Sequence, residues 1–93
     1  MANAEQLKRL LAGVEKWNEW RRGCTEPIDL SGANLGRAHL NGVDLSEASL
    51  IGANTSGANL SETNLTGANL TREQLSIAGS LQQTIMPDGA LHE

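Results

Sequence analysis

The 93-residue chain has no phenylalanine and no tyrosine, and its only aromatic residues are Trp17 and Trp20. An interior built on stacked rings is excluded, so beyond those two side chains any core must be aliphatic. A single cysteine, Cys24, permits no intramolecular disulfide and gives no sign of an oxidising compartment. Apolar runs are short. None reaches the length of a membrane span or of the hydrophobic stretch of a secretory signal, and the cytoplasm is the expected location. Basic patches interleaved with aromatics are missing too, and a net charge of -4 favours solubility while working against direct contact with nucleic acid.

Reactive groups are equally sparse. His39 and His92 stand far apart, and two histidines with one cysteine make no metal-ligand pattern. Asp29, Asp44, Glu47 and Glu62 could be taken for paired carboxylates, but acid-base work needs groups converging in a pocket, and these fall at positions expected to face outward. The glycines lack the strand, loop and helix context of a phosphate cradle. Asn54, Asn59, Asn64 and Asn69 each begin a formal glycosylation sequon, which the local repeat generates by itself. No catalytic, cofactor-binding or metal-binding residue is assigned, no cofactor is expected, and the chain is expected not to be an enzyme.

What the chain does have is a leucine every fifth residue: Leu30, Leu35, Leu40, Leu45 and Leu50, then Leu60, Leu65, Leu70 and Leu75, with Thr55 in the gap. On an α-helix, at about 100° per residue, five steps turn the side chain by about 140°, so the leucines would spiral around every face. On a flat strand five is odd, and they would alternate between two faces. They share one interior only if the chain turns a corner once per repeat. Two residues before each leucine stand mostly small apolar residues, from Ile28 and Ala33 to Ala68, which point to the same side as the leucine. Between them lie polar residues, such as Asp29, Asn34, His39 and Asp44, expected to face out. Turn formers follow, as in Ser31-Gly32 and Asn41-Gly42, where glycine supplies the positive φ of a tight corner.

Runs such as Gly-Ala-Asn-Leu-Ser and Gly-Ala-Asn-Leu-Thr resemble the A(D/N)LXX motif of the pentapeptide repeat proteins, in nine tandem copies over residues 28–72. The resemblance implies a mainly β solenoid, a right-handed quadrilateral β-helix in which four repeats make one square coil. On that reading Leu30, Leu50 and Leu70 stack on one wall, Leu35, Thr55 and Leu75 on the next, then Leu40 with Leu60 and Leu45 with Leu65. A little over two coils would form. The order of a capping helix, few repeats and a Pro-Asp-Gly ending is similar to short pentapeptide proteins of cyanobacteria.

So short a coil has two open ends that need caps. Residues 4–22 carry Leu7, Leu10, Leu11, Val14, Trp17 and Trp20 at spacings of three and four, which predicts one amphipathic helix. Gly23 and Pro27 suit its end. Thr71 and Gln74 have the spacing of a capping box, predicting a short helix through about Ala78 that Gly79 closes. Leu81, Ile85 and Met86 then return over the last coil. The expected division is a helical cap and linker over 1–27, the repeat coil over 28–75, and a cap and tail over 76–93.

Solenoids work by presenting surfaces, so a small scaffold or protein-interaction module is the expected function, with a protein partner, no nucleic acid and no membrane. The chain is expected to be a monomer, or a homodimer joined through the helix stripe if the coil leaves part of that stripe uncovered. The alternative comes from the resemblance, since some pentapeptide repeat proteins imitate duplex DNA and bind a type II topoisomerase such as gyrase. Against it, residues 28–72 carry four acids, Asp29, Asp44, Glu47 and Glu62, offset by Arg37 and Arg72, whereas duplex carries one charge per about 1.7 Å.

Overall fold

The computed structural model describes residues 2–93. The N-terminal segment forms two helices rather than one: α1 spans Ala4–Leu11 and α2 spans Val14–Arg22. The break lies at Gly13, whose φ of 143° is disfavoured for residues with a Cβ, and which stands at the N-cap of α2. Hydrophobic spacing continued across the break, and the glycine decided the geometry. Leu10 and Trp17 are fully buried against the coil, while Leu7, Val14 and Trp20 pack around them. Leu11, expected in the same stripe, is 57 % exposed. The rings of Trp17 and Trp20 lie 5.1 Å apart, and the Arg9 guanidinium sits 4.7 Å from the Trp20 ring centre.

From Ile28 the chain coils with a pitch of twenty residues. Parallel bridges join Asp29 to Ser49 and Ser49 to Asn69, Asn34 to Asn54, His39 to Asn59, and Asp44 to Asn64. Each wall donates and accepts between turns, as where Leu30 N–H donates to Ser49 O and Ser49 N–H to Ile28 O, both at 2.9 Å. Four pentapeptides therefore complete one turn. Leu30, Leu35, Leu40, Leu45, Leu50, Leu60 and Leu65 are buried along the axis, together with Ile28, Ala33, Val43, Ala48, Ala53, Ala58 and Ala68. Regular strand is scarcer than the mainly β expectation: β1 (Thr84–Ile85) and β2 (Leu91–His92) have two residues each. A corner every fifth residue leaves each coil wall long enough for a single bridge and no more.

The corners use the left-handed region at the second residue after each inward centre. Gly32, Gly42, Gly52, Gly57 and Gly67 have φ of 69–78°, and Arg37, Glu47 and Glu62 adopt 58–61° without a glycine's freedom.

Stacking continues past residue 75, where cap and tail were expected. Asn59 bridges Ser80 and Asn64 bridges Ile85, so a third turn forms with an offset of twenty-one. The added residue accommodates α3 (Arg72–Ser76), which replaces one wall of that turn. Its capping box is as expected: Thr71 accepts from Gln74 N–H, and the Gln74 side chain accepts from Thr71 N–H. The helix ends earlier, with Ile77 at its C-cap. Gly79 serves a different need, because a Cβ there would lie 2.7 Å from Gly57 O. Leu75 is only half-buried, and Gln74, 8 % exposed, takes the inward place beneath Thr55. The antiparallel pair of β1 and β2 closes the last turn, with Ile85 opposite Leu91. Among the described residues, no helix is long and apolar enough to cross a membrane.

Candidate interaction surface

The first turn has no turn before it, so the outward-pointing backbone groups of its walls need other partners. Two walls find them in the helices. Gln6 Oε1 accepts from Asp29 N–H at 2.8 Å, and Asn3 N–H donates to Asp29 O at 2.8 Å. On the wall of Asp44, Asn18 Oδ1 accepts from Asp44 N–H and Trp17 Nε1–H donates to Asp44 O, both at 2.8 Å. Asn18 also donates to Gly42 O and Arg21 to Ser46 O. These side chains complete the peptide ladder in place of a neighbouring coil. On the other two walls, the backbone N–H and C=O of Asn34 and His39 have no protein partner among the described residues. That edge is open to solvent, and both residues are exposed.

The outward polar row is mostly engaged in building corners. Asn34, Asn54, Asn59 and Asn64 each accept, through Oδ1, the backbone N–H two residues on, at 3.0–3.1 Å. Asp29 and Asp44 do the same and also accept from the hydroxyls of Ser31 and Ser46. The Ser31 hydroxyl, and then its N–H, hold the Asp29 carboxyl below the usual carboxylate range. Asx turns of this kind are legible in the Asx-x-Ser/Gly spacing, which the outward polarity of the row alone does not reveal. The candidate carboxylates are therefore structural: Asp29 and Asp44 tie corners, while Glu47 and Glu62 are exposed residues that form corners.

One strip of the first turn has side chains free of such bonds. Arg37, His39 and Asn41 are exposed, alternate along the chain, and have no side-chain hydrogen bond among the described residues. His39 occupies the place where all the other repeats but that of Ser49 carry an Asx, and with no acceptor oxygen there it makes no corner bond. The strip lies on the wall whose edge is open at His39. Below it come Asn59 and Ser80, with Ser61 Oγ and Ser80 Oγ 2.6 Å apart.

Elsewhere the surface offers little chemistry. Cys24 is half-buried, with its thiol 3.5 Å from Glu26 O. No group of three or more His, Cys, Asp or Glu among the described residues could hold a metal ion. A shallow groove of about 280 Å³ on the helices is lined by Glu5, Lys8, Arg9, Ala12 and Lys16, its charges of both signs.

The family model described as pentapeptide repeats matches the chain in eight copies, over residues 28–67 and 44–75. No curated protein and no solved structure matches it significantly.

Proposed function

The chain belongs to the pentapeptide repeat family, and on that premise we propose that it is a non-enzymatic interaction module whose coil is a right-handed quadrilateral β-helix. The bridges between residues twenty apart support the quadrilateral form. Four pentapeptides per turn give flat walls, and stacked layers joined by peptide hydrogen bonds make them rigid. A rigid wall binds with little ordering cost on its own side.

The observation that carries the reading is the strip of Arg37, His39 and Asn41 beside an open backbone edge. Most other outward Asx residues tie a corner through their side chains, whereas the side chains of these three make no hydrogen bond among the described residues, although the Arg37 backbone itself forms a corner. The partner that suits them is a protein segment presenting acceptors to Arg37 and His39. The helix stripe is a poorer docking surface, because Leu10 and Trp17 are spent on covering the coil.

Imitation of duplex DNA toward a topoisomerase fits less well. The longest dimension is 29 Å, about nine base pairs at 3.4 Å each, and the free strip begins with a cation.

The test is capture of binding partners by the whole chain and by an Arg37→Glu/His39→Glu variant. The variant is expected to melt with the parent and to lose the partner that the parent retains. A partner held equally by both would remove this strip from consideration.

A further inference from the structure

We infer that the open backbone edge at His39 receives an extended, acidic segment of a partner protein by strand addition, a step that rests on the contact surface proposed above and specifies its partner. Between turns each wall is completed by the neighbouring chain, as where Leu40 N–H donates to Asn59 O and Asn59 N–H to Ala38 O. At the first turn the helices stand in for that neighbour on the walls of Asp29 and Asp44. On the wall of His39 nothing does, and its N–H and C=O have no partner among the described residues. A parallel segment laid there accepts from the one and donates to the other, which repeats the bonding between turns. The interior is also less well covered on this wall. Of the inward residues that precede each leucine by two, from Ile28 to Ala68, Ala38 alone is only half-buried, while Ala33 and Val43 on the adjoining walls are 3 % and 0 % exposed. The edge therefore lacks both a hydrogen-bonding neighbour and the atoms that would close over Ala38.

The charge of the occupant follows from what surrounds the edge. Arg37 is exposed beside it, and the outward residues of this wall, His39, Asn59 and Ser80, include no acid. The helices over the same turn carry Lys8, Arg9, Lys16, Arg21 and Arg22 against Glu5, Glu15 and Glu19, a net of +2 over residues 4–22 in a chain whose total is -4. The acidic excess thus lies in the rest of the chain, and the end with the open edge attracts an acidic segment. Residues two apart in an extended segment face the same side. With one side chain beside the His39 imidazole, at about the 4.8 Å between neighbouring strands, the side chain two before it comes to Arg37. The residue between them falls over Ala38, the place that small residues take in the coil. So short a wall supplies two main-chain bonds, and carboxylates at the flanking positions add charge-assisted bonds to Arg37 and His39.

The test is titration of the whole isotope-labelled chain with an end-blocked peptide of alternating glutamate and alanine, with amide hydrogen exchange read by nuclear magnetic resonance. The peptide is expected to slow exchange of the His39 amide at least about tenfold and to leave that of Asn59, already bonded to Ala38 O, unchanged. N-methylation of the peptide's alanines removes the N–H groups that face His39 O without altering the protein, and should weaken binding at least about tenfold. A glutamate peptide lost by the Arg37→Glu/His39→Glu variant yet indifferent to N-methylation would overturn strand addition and leave the strip as a contact surface. Equal binding by parent and variant would remove the strip as well. Equal binding of the corresponding lysine peptide, or no binding of the glutamate peptide up to about 1 mM, would overturn the inference, while capture of partners still judges the strip on its own. So would protection of the His39 amide by self-association with no peptide added.

Discussion

Gln74 is the residue whose replacement tests the architecture most directly. Its amide nitrogen donates to Leu50 O at 2.6 Å and to Ala53 O at 2.9 Å, both buried bonds across the end of the coil. Its amide oxygen accepts from Thr71 N–H at 2.7 Å, and its own carbonyl accepts the buried Thr55 hydroxyl at 2.6 Å. Gln74→Leu keeps the volume and removes the side-chain bonds. Ala53 O then loses its only donor among the described residues at about 1–3 kcal/mol, while Leu50 O keeps the Ala53 N–H, and the loss of the capping-box bond adds roughly 0.5–1 kcal/mol. The sum is about 2–4 kcal/mol, against a total of about 5–15 kcal/mol for a domain of this kind. At about 4–8 °C per kcal/mol for a chain of this size, the midpoint should fall by about 8 °C or more.

Trp17 makes the assay informative. Its ring is buried at the opposite end of the coil, so a thermal melt followed by tryptophan fluorescence registers the loss at Gln74 only if the turns unfold together. Circular dichroism of the same samples should give the same midpoint. A Gln74→Leu protein that melts within about 2 °C of the parent would show that apolar contact alone holds this end, and the polar plug would be discarded. A midpoint lowered by circular dichroism and unchanged by fluorescence would mean that α3 detaches without the coil.

Two further outcomes are expected. Gly79→Ala places a Cβ 2.7 Å from Gly57 O, backbone that cannot swing aside, and should cost at least about 2 kcal/mol in urea unfolding, whereas Gly23→Ala, with nothing within 4 Å, should be nearly neutral. For Asp29 the Ser31 bonds favour the ionised carboxyl, so the folded pKa lies below the unfolded one; the stabilisation is present above the unfolded value and is lost as pH falls through the folded value. Asp29→Asn should therefore flatten the fall of melting temperature on acidification below about pH 4, and an acid limb of unchanged slope would contradict the assignment.

The coil was legible because its signal is redundant. Any few of the leucines from Leu30 to Leu65 define the period, and the period admits one arrangement. The helical caps were only partly legible. Spacing gave Leu10 and Trp17 as the buried face, but the same spacing passed through Gly13 without revealing that the chain turns there. Gln6 and Gln74 were missed as buried residues, since an isolated glutamine reads as surface; their burial follows from carbonyls and N–H groups that exist only once the coil ends. The third turn was hidden for a related reason. Ser80 and Ile85 fall into register only after α3 has consumed one wall and one extra residue, and no five-residue count anticipates that shift.

The departures from the repeat show where function is to be sought. A residue that matches the motif is already explained by the coil, so only a mismatch can carry further information. Thr55 and Thr63 are mismatches with a structural answer: their hydroxyls turn inward and donate to Gln74 O and Leu40 O. Thr84 repeats the device one turn later with Leu60 O. Arg37, Glu47 and Glu62 stand at left-handed corners where glycine would be cheaper. Two of them set a condition on the next turn, since a Cβ at Gly57 would lie 3.2 Å from the Arg37 side chain and one at Gly67 would lie 3.0 Å from Glu47. His39 answers to none of these needs. It gives up the corner bond that an Asx would make, neighbours an open edge and faces water beside Arg37. If His39→Asn restored a corner bond to Asn41 N–H, the chain would become more stable, and a partner that needs the imidazole would leave.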